Sequence, residues 1–192
     1  MNPIRAFIAI DLPQPIQESI EKQTQRLRQS LGNDAIRWVP VHNIHITLKF
    51  LGKTADSHLD FLKQMLTRSA QSITQFDLQI SGIGSFPTSK RPRVIWIGIH
   101  APAGLTSLQK QVEENATRLG YEKEERPFSP HLTLGRVRQG TTPKEVQKIG
   151  EVINSIQLGK IGTARVDSIH LYKSDLHSDG SVYTKLFSTP LR

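Results

Sequence analysis

The chain contains no cysteine, and this absence excludes several classes of site. Without a thiol there is no disulfide framework, no thiolate nucleophile, and no zinc or iron–sulfur centre held by cysteine. The composition fits a reducing compartment, and we expect a cytoplasmic protein. A chain of 192 residues is long enough to bury its own core, so we expect a single domain that needs no covalent staples.

Long apolar runs are also absent. No segment approaches the roughly 20 apolar residues of a membrane-spanning helix, and we expect no contact with a membrane. The apolar stretch near the start is too short for a span, and no small-residue cleavage site follows it, so it predicts a first strand. Acidic residues are fewer than basic ones, and the net charge of +8 favours an anionic partner such as nucleic acid.

Short strand patterns alternate with helical ones, which predicts an α+β or α/β arrangement. We expect a long connection from Gly82 to Arg93 and a hairpin turn at Ser178-Asp179-Gly180. Predicted strands lie near residues 5–11, 36–39, 45–51, 76–80, 94–100, 131–134, 160–167, 168–174 and 183–188. Two predicted helices end at a glycine, at residues 16–31 before Gly32 and at 105–119 before Gly120. Another helix is predicted after Gly52, with Ser57 as its cap. The last predicted helix follows Thr142 as its cap, with Pro143 at its first position and Glu145 closing a capping box.

The pattern His-x-Thr-aliphatic occurs once in each half of the chain. The first motif is His45-Ile46-Thr47-Leu48 and the second motif is His131-Leu132-Thr133-Leu134. If both lie on strands, each His and its Thr share one face while the aliphatic residues face the core. Two such edges facing each other supply a general acid, a general base and hydroxyl donors, a set suited to a phosphodiester. For either motif alone, a buried structural histidine with a backbone partner is the alternative interpretation.

Other motifs for cofactors and metals are incomplete. Gly52-Lys53-Thr54 lacks the leading glycine of a phosphate-binding loop, because Thr47 stands in its place. Gly82-x-Gly84 is followed by Pro87 rather than by a glycine that opens a helix. His42, His45 and His58 have no carboxylate or cysteine at a recognisable spacing. We therefore predict no metal and no cofactor.

Basic and aromatic residues outside the two motifs are further candidates for contacts with a nucleic acid. Lys90, Arg91 and Arg93 stand in the predicted connection and are either an ordinary solvated loop or contacts to a nucleic-acid backbone. Phe128 precedes His131 by three residues and is a candidate to stack on a base.

These residues resemble a known family, and the likeness covers nearly the whole chain. The chain resembles the two-histidine phosphoesterases, and within them the RNA 2′,3′-cyclic phosphodiesterases formerly described as bacterial 2′-5′ RNA ligases. The matching segments are Arg5-Ala6-Phe7-Ile8-Ala9-Ile10, Trp38-Val39, residues 43–52, residues 91–96, residues 128–136 and Leu171-Tyr172-Lys173-Ser174.

The resemblance implies a bilobal α+β fold with pseudo-twofold symmetry, in which antiparallel sheets line a central groove and helices lie outside. Residues 1–192 would form one domain of two interleaved lobes, each contributing one motif. The resemblance assigns His45 as proton donor and His131 as proton acceptor, with Thr47 and Thr133 contacting the phosphate. It also implies that no metal or nucleotide cofactor is needed.

The substrate that follows is an RNA terminus with a 2′,3′-cyclic phosphate, opened by water to a 2′-phosphomonoester, and the reverse reaction would join RNA ends by 2′-5′ bonds without ATP. Arg136 is a third candidate for the phosphate, although a straight strand places it on the face opposite Thr133.

Two histidines in opposite protonation states predict a bell-shaped pH profile, and exchanging donor and acceptor predicts the same bell. The alternatives are a noncatalytic RNA-binding module and a phosphodiesterase for small cyclic nucleotides. We expect a monomer, since no heptad or long apolar stripe calls for a partner.

Overall fold

The computed structural model describes residues 3–178 and 180–192. In this part of the chain the helices are α1 (Gln14–Leu31), α2 (Leu59–Gln71), α3 (Ala103–Arg118) and α4 (Pro143–Ser155), with short 3-10 turns at Val41–Asn43 and Asp56–His58. The strands are β1 (Ile4–Ile10), β2 (Ile36–Trp38), β3 (Ile46–Thr54), β4 (Phe76–Phe86), β5 (Val94–His100), β6 (His131–Val137), β7 (Lys160–Val166), β8 (Ser168–Leu176) and β9 (Ser181–Pro190).

The strands form two sheets, and in each sheet every neighbouring pair is antiparallel. The first sheet has the order β3-β1-β8-β9 and the second has the order β2-β6-β5-β4-β7. Each sheet mixes the two halves of the chain, because β8 and β9 join the first sheet while β2 and β4 join the second. The predicted α+β class with antiparallel sheets is confirmed.

Two helices pack against each sheet. Helices α2 and α3 contact each other and strands of the first sheet, while α1 and α4 contact each other and strands of the second. Apolar side chains of the strands and helices form one core, and Ile8, Ile46, Leu132 and Leu134 are fully or almost fully buried in it. The motif strands β3 and β6, one from each sheet, are in contact.

The sequence signals at two helix ends are confirmed. Helix α1 stops at Gly32, which has a φ of +73° and whose N–H donates to the carbonyl of Arg28. At the start of α4 the Thr142 hydroxyl accepts from the Glu145 N–H while the Glu145 carboxylate accepts from the Thr142 N–H. A cap of this kind contributes about 1 kcal/mol.

The predicted start of the second helix is wrong. Strand β3 runs through Gly52 to Thr54, and a 3-10 turn at Asp56–His58 precedes α2. Ser57 lies in that turn, and the helix begins after His58 without a side-chain cap. Gly52 has a positive φ, but the strand continues past it to Thr54, so this glycine does not end β3.

The long connection predicted at residues 82–93 is also wrong. Strand β4 continues to Phe86, so the connection between β4 and β5 spans only residues 87–93. Gly82 has a φ of +74° where the pairing with β5 shifts register. At Gly84 the glycine makes room for the Trp96 ring, since a Cβ there would lie 2.4 Å from that ring.

The predicted turn at Ser178-Asp179-Gly180 lies partly outside the described residues, because Asp179 is not described. Strands β8 and β9 on either side of it pair from Ser168 with Pro190 to Leu176 with Ser181. Among the described residues, no helix has both the length and the apolar character required to cross a membrane.

Candidate active site

The first motif begins at His45, directly before β3, and the strand bulges at the last residue of the motif, Leu48. Thr47 pairs with Ala9 and Lys49 pairs with Ile8, which leaves Leu48 as an extra residue on β3. A bulge of this kind bends the strand and changes which side chains follow on each face.

The second motif, on β6, has the same bulge at the same place. Thr133 pairs with Trp96 and Gly135 pairs with Ile95, which leaves Leu134 as the extra residue. The two motifs therefore share a backbone conformation as well as a sequence pattern.

This bulge corrects the expected orientation of Arg136. On a straight strand Arg136 would lie on the face opposite Thr133, but Leu134 and Gly135 are both buried and Arg136 is exposed. The additional residue shifts the alternation by one position. Arg136 thus shares the face of His131 and Thr133, away from the core.

Each motif histidine is held by the carbonyl two residues before it. The Nδ1–H of His45 donates to the Asn43 carbonyl and that of His131 donates to the Ser129 carbonyl, each at 2.7 Å. A proton fixed on Nδ1 leaves Nε2 as the nitrogen that exchanges a proton with a ligand. Both rings are therefore ready for acid–base chemistry through the same atom.

Aromatic rings hold the imidazoles from the side. The ring of His45 stacks on Phe7, with centroids 4.8 Å apart, and meets the edge of Tyr183 at 5.3 Å. The ring of His131 meets Phe86 edge to face at 4.9 Å. Such contacts restrict the ring planes and exclude water from one side of each ring.

The two motif strands contact each other, and charged groups of the second motif act on His45. Burial lowers the pKa of His45 below its usual value of 6.5, and the charges of His131 and Arg136 lower it further. Burial likewise lowers the pKa of His131, and Arg136 adds to the decrease. The positive charge of Arg136 thus acts on both His45 and His131 and favours the neutral form of each imidazole.

A cluster around Asp11 lies next to His45. The Tyr172 hydroxyl donates to both Asp11 carboxylate oxygens at 2.7 and 2.8 Å, and Lys185 Nζ lies 2.7 Å from the same carboxylate. Lys185 and Tyr172 hold the pKa of Asp11 low, although burial opposes them, and the Asp11 charge raises the pKa of His45. No sequence motif identified this cluster, because its members come from β8, β9 and the residue that follows β1.

A buried ion pair links the strand of the first motif to the segment that precedes the second. Lys49 Nζ lies 2.6 Å from Glu113 Oε1 on α3 and donates to the Glu122 carbonyl. The same Glu113 oxygen accepts from the Glu124 N–H at 2.9 Å. Residues 122–124 are thereby fixed against β3, a few residues before Ser129 and His131.

The remaining predicted site residues lie outside the two motifs. Lys90, Arg91 and Arg93 are exposed and lie in the connection after Phe86, whose ring contacts His131. Phe128 is half-buried and packs against the core, which leaves less of its ring for a base than the sequence suggested.

Phe50 is an aromatic residue that sequence reasoning did not single out. Its side chain is 66% exposed, and its ring stands 6.2 Å from the ring of Phe7, which contacts His45. The exposure of Phe50 could not be predicted from the alternation of inward and outward side chains along β3, because the bulge at Leu48 shifts that alternation by one residue.

Metal-ligand geometry is absent from residues 3–178 and 180–192. No group of three or more His, Cys, Asp or Glu side chains in these ranges is placed to hold an ion. The expectation of metal-free chemistry stays a prediction for solution work.

Proteins with this sequence pattern and this fold are known. The RNA 2′,3′-cyclic phosphodiesterase of Methanocaldococcus jannaschii is 34% identical over 180 residues, covering 94% of this chain and 96% of that protein. The crystal structure of TT0787 of Thermus thermophilus superposes with a TM-score of 0.82 at 25% identity, covering 98% of each chain. The structure of E. coli LigT complexed with 3′-AMP gives a TM-score of 0.78 at 30% identity, again covering 98% of each chain.

The family model of the 2′-5′ RNA ligase superfamily matches residues 16–178, a range that includes both motifs. With the paired strands, the repeated bulge and the two anchored imidazoles in place, the chain belongs to the 2′-5′ RNA ligase superfamily.

Proposed function

We propose that this protein hydrolyses 2′,3′-cyclic phosphate termini of RNA to 2′-phosphomonoesters. The single observation that carries the proposal is the pair of imidazoles at the starts of two equivalent bulged strands that contact each other, each imidazole with its Nδ1–H donated to a backbone carbonyl. The names of the relatives support the substrate class, since the M. jannaschii protein is an RNA 2′,3′-cyclic phosphodiesterase. The 3′-AMP complex of E. coli LigT supports a nucleotide with a ribose phosphate as ligand.

In the proposed mechanism the two histidines act in opposite protonation states. Neutral His131 accepts a proton from the attacking water at Nε2, and protonated His45 donates one from Nε2 to the departing 3′ oxygen. The bond from the water oxygen to phosphorus forms while the bond from phosphorus to O3′ breaks. General acid and base catalysis each contribute roughly 10²- to 10⁴-fold.

The non-bridging oxygens need donors, because negative charge builds on them in the transition state. Thr47 and Thr133 each lie two residues after a motif histidine on the same strand face, and we assign their hydroxyls to these oxygens. Arg136 joins them because the bulge of β6 turns its side chain to that face. None of these steps calls for a metal ion or a nucleotide cofactor.

The RNA beyond the terminal nucleotide would meet the basic connection at residues 87–93, through Lys90, Arg91 and Arg93. Phosphate contacts of this kind position a strand without reading its sequence. We further propose that the two interleaved lobes work as one monomeric domain in the cytoplasm. The same ring opening with the 5′-hydroxyl of a second RNA in place of water would form the bond from that oxygen to phosphorus while the bond from phosphorus to O3′ breaks, and would give a 2′-5′ bond without ATP.

The test is a product assay on an RNA oligonucleotide that ends in a 2′,3′-cyclic phosphate, beside the corresponding cyclic mononucleotide. Both are incubated with the protein in the presence of EDTA, and the phosphate isomer is identified by phosphorus NMR. We expect a 2′-phosphate, with kcat/KM higher for the oligonucleotide. His45→Ala and His131→Ala should each lose about 10²- to 10⁴-fold. His58→Ala, an exposed histidine in the turn before α2, is the matched control and should retain full rate.

Each contrary outcome has a distinct meaning. A 3′-phosphate product would contradict the assigned leaving group, and loss of activity in EDTA would contradict the metal-free mechanism. Turnover of the mononucleotide alone would indicate a phosphodiesterase for small cyclic nucleotides. RNA binding without turnover, unaffected by the histidine variants, would indicate a binding module.

A further inference from the structure

The repeated bulge allows the two half-sites to be compared position by position. The last pair of β1 and β3 is Ile10 with Ile46, and Asp11 and His45 are the residues that directly adjoin this pair in the two segments. The equivalent pair in the second sheet is Gly98 with His131. The first half-site therefore has a carboxylate at this position, and the second has a glycine.

The neighbouring strands repeat this difference. Tyr172 on β8 pairs with Phe7, and its equivalent is Phe86 on β4, which pairs with Val94. Phe86 contacts His131 directly and Tyr172 reaches His45 through Phe7, but only the tyrosine has a hydroxyl. The donor that binds the carboxylate is thus missing from the second half-site together with the carboxylate.

At a third pair of equivalent positions, the second half-site carries the charged residue and the first does not. Arg136, three residues after Thr133, corresponds to Phe50, three residues after Thr47. The second half-site has a cation at this place and the first has an apolar ring. An acidic group near one histidine and a basic group near the other are what two opposite protonation states require.

The Asp11 cluster also reaches His45 through packed rings. Tyr172, whose hydroxyl donates to Asp11, stacks on Phe7 with centroids 5.3 Å apart and planes 14° apart. Phe7 in turn stacks on His45 at 4.8 Å and 28°. Phe7 is almost fully buried, so it cannot move independently of its neighbours. The orientation of the imidazole is therefore tied to the position of the Asp11 carboxylate.

We propose that Asp11 is a positioning residue that makes His45 the acid of the pair, by fixing Tyr172 and the ring stack and by placing a negative charge beside the imidazole. This inference rests on the proposed function. It gives a physical cause for the proposed role of His45 as donor, which the symmetric motifs alone do not explain.

The charged groups around His45 agree with this assignment. From β6, His131 and Arg136 lower the pKa of His45, and Asp11 raises it. Lys185 on β9 lies 2.7 Å from the Asp11 carboxylate and is the cation that moderates its charge. His170 on β8 lies 3.5 Å from the same carboxylate, and burial lowers the pKa of this histidine. For His131 the charge that acts is Arg136, which lowers the pKa and favours the neutral base.

The test measures the pKa of each motif histidine by NMR titration of its ring and compares it with the pH profile of kcat/KM. Asp11→Asn keeps an acceptor for Tyr172 but removes the charge, so the pKa of His45 should fall while that of His131 stays. The alkaline limb of the profile should move to lower pH, with a loss of about tenfold for every unit that the pKa of His45 drops. Asp11→Glu should restore the limb.

Lys185→Met provides a change of opposite sign. Lys185 is partly exposed, so its loss should leave the fold intact, and the unneutralised Asp11 should raise the pKa of His45 and move the alkaline limb to higher pH. Asp77→Asn is the matched control, since it removes one negative charge from an exposed ion pair with Arg165 on the second sheet and should change neither limb.

The inference is overturned if Asp11→Asn leaves the pKa of His45 unchanged or shifts both histidines equally, or if Lys185→Met lowers it. Because the NMR titration requires no turnover, it separates this inference from the proposed function. An inactive wild-type protein with the expected shifts would overturn the function alone, and an active protein without them would overturn only the role of Asp11.

Discussion

The two half-sites use one backbone design with different side chains. In both, the His lies at the start of a strand or directly before it, the strand carries the Thr and bulges at the following Leu, and the carbonyl two residues before the His holds the imidazole. The residue after the bulged Leu is Lys49 in the first half and Gly135 in the second. The two motifs thus share their local geometry, and we propose that the different side chains around the two imidazoles make one a proton donor and the other a proton acceptor.

The largest expected effect concerns Lys49, which has no counterpart in the second half. Lys49→Met should reduce the free energy of unfolding by about 3 to 5 kcal/mol, because it leaves the Glu113 carboxylate buried without its cation. Urea unfolding measures the loss, and Lys49→Met with Glu113→Leu should recover part of it. Lys63→Met, which breaks the exposed pair with Asp60, should cost less than about 1 kcal/mol. Equal costs for the two lysines would contradict the role of the buried pair.

Arg136 provides the next test, since its equivalent in the first half is apolar. Arg136→Met keeps much of the side-chain length but removes the charge, and we expect kcat to fall by about 10²-fold through weaker stabilisation of the non-bridging oxygens. Arg138→Met, an exposed arginine just beyond the end of β6, is the matched control. A similar decrease for both variants would indicate a general effect of charge rather than a contact of Arg136 with the phosphate.

The fold class and both catalytic candidates could be predicted from the sequence, because apolar periodicity and a repeated motif are local signals. The orientation of Arg136 could not, since it depends on a bulge that the pairing of β5 with β6 reveals. Asp11 was also missed, because Tyr172 and Lys185 reach it from strands far away in sequence. Ser57 resembled a cap because the 3-10 turn before α2 has no distinct sequence signal.

We expect the histidines of the two half-sites to contribute differently to the pH dependence of the free energy of unfolding. Burial lowers the pKa of His45 and His170 in the first sheet and of His131 in the second. The unfolded chain therefore binds more protons as pH drops below 6.5, so the free energy of unfolding should fall from about pH 7 to about pH 5. Replacing both His45 and His170 with Gln should flatten this dependence more than replacing His131. Urea midpoints at the two pH values provide the measurement, and a midpoint that rises on acidification would contradict the burial of these rings.

The smallest effects are expected from the connection beside the second half-site. Replacing Lys90, Arg91 and Arg93 with Gln should weaken RNA binding at low salt and reduce the salt dependence of log Kd by about 1 for each phosphate that is no longer neutralised. The chemical step on a cyclic mononucleotide should be unchanged. Replacing Lys22, Lys110 and Lys144 on the exposed helix surfaces removes the same charge and provides the control. Equal changes in the salt dependence for both triple variants would show attraction by net charge alone.

The opposite roles of the half-sites are tested most directly by a substrate whose leaving group needs no acid. In a cyclic phosphorothiolate with sulfur in place of the 3′ oxygen, water still attacks phosphorus, but the sulfur departs without a proton. We predict that the loss caused by His45→Ala shrinks by at least about tenfold on this substrate, while the loss caused by His131→Ala stays as large as on the oxygen substrate. Rescue of His131→Ala instead, or equal losses for both variants on both substrates, would contradict the assignment of His45 as acid and His131 as base.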